Sequence, residues 1–214
     1  MEHRKTHLRT LALLAAFFLG IIGCYAIDLT HATIGYDAKD DPFVGHMAQV
    51  LAEDIARVTG IQPTVSTRKG QGENIVLATT KRSKRHSELR GTWERYAIDT
   101  QGNTLFITGS DPRGLAYGVF HISELIGINP WYWWADVPVM QGEAQPCDIK
   151  VNFISQSPSV KYRGIFINDE DWGMKTWSAL NFEKELGDIG PKTYDRVCEW
   201  ILRLKGNMLA PAMH

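Results

Sequence analysis

The chain has 214 residues, 44% hydrophobic and 22% charged, with a formal net charge of −1. That composition suits one or two globular domains with sizeable cores. It excludes a nucleic-acid binder of the usual kind, which needs a basic face to displace counterions.

Residues 1–26 read as an export signal. Arg4, Lys5 and Arg9 form a basic start, Leu11 to Gly23 an apolar run, and Cys24-Tyr25-Ala26 a small-residue exit. The apolar run is shorter than the roughly 20 residues that span a bilayer, so no membrane span is expected. Two processing routes stay open. Ile21-Ile22-Gly23-Cys24 has the pattern of a lipoprotein box, which would put a lipid anchor on Cys24, whereas a cut after Ala26 leaves a soluble protein and is preferred. Either route places the chain in the periplasm or outside the cell. Export leaves Cys147 and Cys198 in an oxidising compartment, where a disulfide between them is one option. Cys198 falls on the apolar side of a predicted helix and is expected as a buried free thiol. No Cys/His spacing implies a metal, and no cofactor is implied.

The first predicted strand is Ala32 to Tyr36. Asp40 or Asp41 then caps a helix with Pro42 at its first position and Phe43, Met47, Val50, Leu51, Ile55 and Val58 on one face. Gly60 stops it. Pro63 to Ser66 and Asn74 to Ala78 read as strands. Lys81-Arg82-Ser83-Lys84-Arg85-His86 is a basic run, read first as a solvated loop or exposed helix end and second as a polysaccharide or phosphate contact. Tyr96–Thr100 and Thr104–Thr108 flank Gln101-Gly102-Asn103 and form a hairpin.

Gly109-Ser110-Asp111-Pro112-Arg113-Gly114 opens the next helix, with Leu115, Val119, Ile122 and Ile126 buried and Gly127 as stop. The turn lacks the spacing of a phosphate-binding fingerprint. Its glycines fit close helix–sheet packing, and Arg113 fits an internal ion pair. In Pro130-Trp131-Tyr132-Trp133-Trp134, packing between domains is the first reading and a sugar platform the second. Asp148 to Val151 is expected to close the first sheet, and Ser155 to Ser159 is the domain boundary.

Val160 to Ile167 reads as a buried strand ending in Asn168-Asp169-Glu170-Asp171-Trp172. Carboxylates and an indole at the C-terminal end of a strand sit where α/β folds place their chemistry, and paired carboxylates cleave glycosidic bonds. A solvated acidic loop is the competing reading. Lys175 to Gly190 reads as a long loop. Pro191 starts a helix with Tyr194, Val197, Ile201 and Leu204 on one face, and Asn207 to Ala210 is a second strand. Strand, helix and strand make one right-handed parallel unit. A closed (β/α)8 barrel needs about 250 residues, so this unit reads as the start of an incomplete one. The expected fold class is α/β: a small N-terminal α/β domain, sandwich-like, over 27–155, then the first strands and helix of a truncated (β/α)8 barrel over 156–214.

Four segments together resemble glycoside hydrolase family 115, the xylan α-1,2-glucuronidases: residues 109–118, residues 130–139, residues 161–173, and residues 187–194 running on to Asn207 and Pro211-Ala212-Met213-His214. The Trp-Tyr-Trp-Trp and Asn-Asp-Glu-Asp motifs in this order are the specific part. The resemblance implies a secreted hydrolase that removes α-1,2-linked (4-O-methyl)glucuronic acid from glucuronoxylan or its oligosaccharides with inversion. It implies Asp169 as a catalytic residue and Asn168, Glu170 and His214 as substrate-binding residues. It is compatible with a homodimer of the full-length enzyme, and it makes the 214 residues alone inactive. Family members often carry Trp where Ala210 stands, so a stacking contact is lost there. The alternatives are another exo-glycosidase with the same N-terminal domain, and a non-catalytic carbohydrate-binding or scaffold protein.

Overall fold

The computed structural model describes residues 27–29, 31–67, 74–141, 148–149, 151–167 and 173–211. Its strands are β1 (Ile27–Asp28), β2 (Thr33–Tyr36), β3 (Thr64–Ser66), β4 (Ile75–Thr79), β5 (Tyr96–Gln101), β6 (Thr104–Gly109), β7 (Asp148–Ile149), β8 (Asn152–Ile154), β9 (Gly164–Phe166) and β10 (Met208–Ala210). Its α-helices are α1 (Pro42–Thr59), α2 (Pro112–Leu125), α3 (Met174–Trp177) and α4 (Pro191–Arg203).

Local signals set the long helices. The Asp41 carboxylate accepts from Phe43 N–H at 3.0 Å and Pro42 starts α1, while Gly60 ends it in the left-handed region at φ 76°. Asp111 caps α2 through Gly114 N–H at 2.8 Å. Gly114 is obligatory for packing, because a Cβ there would collide with the Arg95 carbonyl.

Six strands form one sheet in the order β3-β2-β4-β6-β5-β8. β3, β2, β4 and β6 are parallel, and β5 runs antiparallel to both β6 and β8. Helices α1 and α2 pack on each other and on one face of this sheet. Ile34, Ile75, Leu77, Ile98, Leu105 and Ile107 meet Val44, Leu51, Ile55, Leu115, Val119 and Ile122 in the main core.

The second parallel sheet, β9 beside β10, packs with α4 against the far side of the helix pair. Tyr117 Oη of α2 donates to the Gly206 carbonyl at 2.9 Å, and Arg203 of α4 forks onto Asp54 of α1. The molecule is thus layered as sheet, helix pair, and strand–helix–strand unit. The fold class is α/β: a small N-terminal α/β domain followed by the opening strands and helix of a (β/α)8 barrel.

Three details differ from the sequence expectation. The strand that extends the six-stranded sheet is Asn152–Ile154, whereas Asp148–Ile149 pairs antiparallel with Ile27–Asp28 in a separate ribbon. The strand expected over 160–167 is confined to Gly164–Phe166, and Val160, Tyr162 and Phe166 are exposed. Among the described residues β9 pairs only with β10 and carries no second covering layer, which explains that exposure. Residues 174–182, expected as loop, form α3 and a π-helical turn, Ser178–Phe182.

Candidate functional site

β9 and β10 run parallel with Gly164 opposite Met208 and Phe166 opposite Ala210, so their C-terminal ends lie side by side. Ile167 N–H donates to the Ala210 carbonyl at 2.9 Å, and the Ile167 side chain is buried with Val197 and Ile201. The alignment depends on Gly164, since a Cβ there would overlap the Met208 carbonyl. Asn168, Asp169, Glu170 and His214 lie outside the described residues, as do Asp171, Trp172, Cys24 and Cys147. The structure places the residues just before them, Ile167 and Pro211, at one end of one parallel pair.

The opposite end of that pair is clamped by a network the sequence reading missed apart from Arg113. Glu94 is fully buried and receives Arg163 Nη2 at 2.6 Å, Arg113 Nε at 2.9 Å and Asn207 Nδ2 at 2.8 Å. Arg163 also donates to the Lys205 carbonyl, and its N–H to Asn207 Oδ1 at 2.9 Å. Arg163 precedes β9 and Asn207 precedes β10, so one carboxylate sets both strand starts. Glu94 itself sits in the left-handed region at φ 54°, with its N–H held by Asp111 Oδ2 at 2.6 Å. Burial, and then the nearby Glu94 charge, push the Tyr117 phenol up to about 12, keeping it a donor to Gly206.

A second buried carboxylate, Glu183, holds the start of α4. It accepts from Gly190 N–H at 3.0 Å, Lys192 N–H at 3.2 Å, Thr193 N–H at 2.7 Å and Thr193 Oγ1 at 2.6 Å. Burial disfavours its ionised form, but these hydrogen bonds outweigh that and hold its carboxyl below the usual glutamate value. With its lone pairs filled by the helix start, Glu183 is a cap rather than an acid or base. The signal for it was available: α4 begins Gly190-Pro191 with no capping side chain, so its first N–H groups need a remote acceptor.

The aromatic segment packs between layers. Trp131 meets Trp200 at 4.5 Å, Trp133 meets Phe182 at 5.0 Å and Trp177 at 5.7 Å, and Trp134 Nε1 donates to the Arg196 carbonyl at 3.4 Å. Tyr132 lies under both Arg57 and Arg203. Tyr132, Trp133 and Trp134 are part-buried in this packing, as the first reading expects, whereas Trp131 is exposed. Gly109, Gly114 and Gly118 serve close approach, as expected for that turn.

Cys198 is a correction: it is a free, exposed thiol. The buried positions of α4 are Thr193, Val197, Ile201 and Arg203, and residue 198 is rotated about 100° from Val197, off that face. Partial desolvation of its sulfur by neighbouring atoms, and then the Asp195 charge, push its pKa up. Among the described residues no group of three or more His, Cys, Asp or Glu could hold a metal ion, and no helix is long and apolar enough to cross a membrane.

The family model for glycosyl hydrolase family 115 matches residues 155–214, and that for the glycosyl hydrolase family 67 N-terminus matches residues 30–122. A solved structure of a family GH115 4-O-methyl-α-glucuronidase with specificity for decorated arabinogalactans aligns at 35% identity and a TM-score of 0.74. That alignment covers 86% of this chain and 25% of that one. The chain belongs to glycosyl hydrolase family 115. It spans about a quarter of the length of that family 115 structure. The Streptomyces plicatus N-acetyl-β-hexosaminidase aligns at 19% identity and a TM-score of 0.56, over 87% of this chain and 31% of that one, and shares the fold. The β-N-acetylhexosaminidase from Streptomyces coelicolor does so at 17% identity and 0.55, with the same coverage. No curated protein matches the sequence.

Proposed function

We propose that the complete protein is an α-glucuronidase that removes α-linked (4-O-methyl)glucuronic acid from a plant polysaccharide with inversion. The observation that carries this reading is the 35% identity to a family 115 4-O-methyl-α-glucuronidase across 86% of the chain. In this reading the uronate pocket opens at the C-terminal ends of β9 and β10. Asn168 and Asp169 line it, Glu170 and His214 add sugar contacts, and Asp169 is the carboxylate that residues 1–214 contribute to catalysis. Inverting hydrolysis uses two carboxyl groups about 6.5–9.5 Å apart, one protonating the glycosidic oxygen while the other activates water. A partner acid from another barrel strand is required, so residues 1–214 alone are inactive.

Glucuronoxylan is the first substrate proposed. A decorated arabinogalactan is the second, favoured by the specificity of the similar structure. Both are extracellular polymers, which accords with residues 1–26 as an export signal and with release, or anchoring at Cys24, beyond the inner membrane.

The test is to incubate the complete enzyme with both polymers and follow released glucuronate by NMR, whose first-formed anomer reports inversion. Asp169→Ala is expected to slow release by about 10²–10⁴-fold. Release at an undiminished rate from the variant would remove Asp169 from the chemistry. Absence of glucuronate from both polymers with the wild type would overturn the reading itself.

A further inference from the structure

The basic run Lys81–His86 is a loop with Lys81, Arg82 and Lys84 exposed, as expected, but it is tied to the sheet by side-chain contacts. It folds over the sheet face opposite α1 and α2. Arg82 Nε and Nη2 donate to Asp37 Oδ2 at 2.9 and 2.7 Å, and Arg85 reaches Asp99 at 3.3 Å and the Gln101 side chain. His86, at φ 50°, bridges Asp99 at 2.8 Å and Glu88 at 2.9 Å. Between this loop and the strands lies a groove of about 640 Å³. Its floor includes Gly35, Val76, Ala78, Thr104 and Phe106, with Val76 directly opposite both Gly35 and Phe106 in register.

We infer that this groove is a second, non-catalytic binding site for uronate-bearing glycan, the substrate class of the proposed activity, on which the choice of ligand rests. Three cations, Arg82, Lys84 and Arg85, line it; Arg82 is paired with Asp37 and Arg85 with Asp99, so Lys84 supplies the charge left for a ligand. Lys84 is exposed and has no ion-pair partner among the described residues. Arg85 stacks 3.7 Å over the Phe106 ring, and its buried Nε has no hydrogen-bond acceptor among the described residues. A buried donor left without an acceptor is costly, so this guanidinium gains by turning toward an anionic or hydroxylated ligand in the groove.

The volume lies within the range of about 300–1,000 Å³ typical of small-ligand sites and exceeds what an inorganic anion fills. Apolar Val76 and Ala78 suit the C–H face of a pyranose ring, and the flanking cations suit its carboxylate. The site belongs to the six-stranded sheet. The helix pair separates that sheet from the β9–β10 unit, so occupation of the groove does not compete with the pocket proposed at the strand ends. Its use would be to hold a charged polymer near the catalytic pocket.

The test is affinity electrophoresis of the complete protein in gels containing glucuronoxylan, its carboxyl-reduced neutral counterpart, or dextran sulfate. Wild type should be retarded by glucuronoxylan. Lys84→Glu should weaken that retardation about three- to tenfold, and Lys84→Arg should restore it. The neutral polymer should treat wild type and variants alike. Equal retardation of wild type and Lys84→Glu, or no retardation by glucuronoxylan, overturns the site. Retardation by dextran sulfate alone overturns the uronate assignment. Release of glucuronate from a short aldouronic acid should be unchanged in Lys84→Glu, so failure of the catalytic proposal registers separately from failure of this one.

Discussion

Glu94 shows how much one side chain organises here. It is a buried carboxylate in a backbone conformation that non-glycine residues seldom adopt, and it takes hydrogen bonds from Arg163 and Asn207 and an ion pair from Arg113. The strain is tolerated because Asp111 fixes its N–H and three partners fix its side chain. Glu94→Gln keeps the shape but removes the charge and replaces one acceptor with a donor. It is expected to cost about 1.5–3 kcal/mol, the range for hydrogen bonds to a charged group, read as a lowered urea midpoint. Sequence inspection could not have singled it out, because Glu94 lies 69 residues from Arg163 and 113 from Asn207. Arg113 was assigned an internal ion pair from its motif alone, since the turn around it restricts what the side chain can reach.

Elements with local signals were legible, and those defined by distant pairing were not. The caps of α1 and α2 and the Gly102-Asn103 hairpin are written within a few residues each. The division between β7 and β8 is not. Residues 148–149 pair with Ile27–Asp28, while the next strand pairs with β5, and nothing in a short apolar run reveals which partner it finds. Helix α4 is intermediate: its start at Pro191 is plain, but its anchor is Glu183, upstream and outside any capping pattern. A glutamate whose folded pKa is lowered contributes stability that is present above its unfolded value and lost as pH falls through the folded one. Below the ordinary glutamate value of 4.5, the grip on α4 should therefore weaken. Tryptophan fluorescence should register this, because Trp200 on α4 meets Trp131 and Trp134. Glu183→Gln should shift or flatten the acid limb of that titration; an acid limb identical to wild type would show that other groups govern it.

Across the whole molecule, the layers are joined by few polar contacts of high consequence. Arg203 of α4 and Asp54 of α1 are both buried and meet at 2.9 and 3.0 Å, with Glu199 and Arg57 as outer partners. Burial disfavours the Arg203 charge, but Asp54 and then Glu199 outweigh that and raise its pKa. Removing one partner should be costly: Arg203→Met is expected to destabilise by about 3–5 kcal/mol, by leaving Asp54 buried with only Arg57 beside it. Combining it with Asp54→Leu should recover most of that loss, because a well-packed apolar pair can replace a buried ionic one. Equilibrium unfolding of the two single variants and the double variant closes the cycle; a double variant as unstable as the sum of the singles would refute the coupling. The candidate site is a motif at the end of a hydrophobic run, and its residues lie outside the described ones. The ring of acids and bases that would complete it was not legible, because in a barrel those groups come from strands far apart in sequence.

The arrangement around Glu94 carries an evolutionary corollary. The fastening points of the first two barrel strands, Arg163 and Asn207, belong to the face turned away from the rim where sugar would be met. Under the proposed function, residues that hold the architecture and residues that meet the sugar would be drawn from opposite ends of the same strands. A lineage could then alter the rim while inheriting its foundations intact.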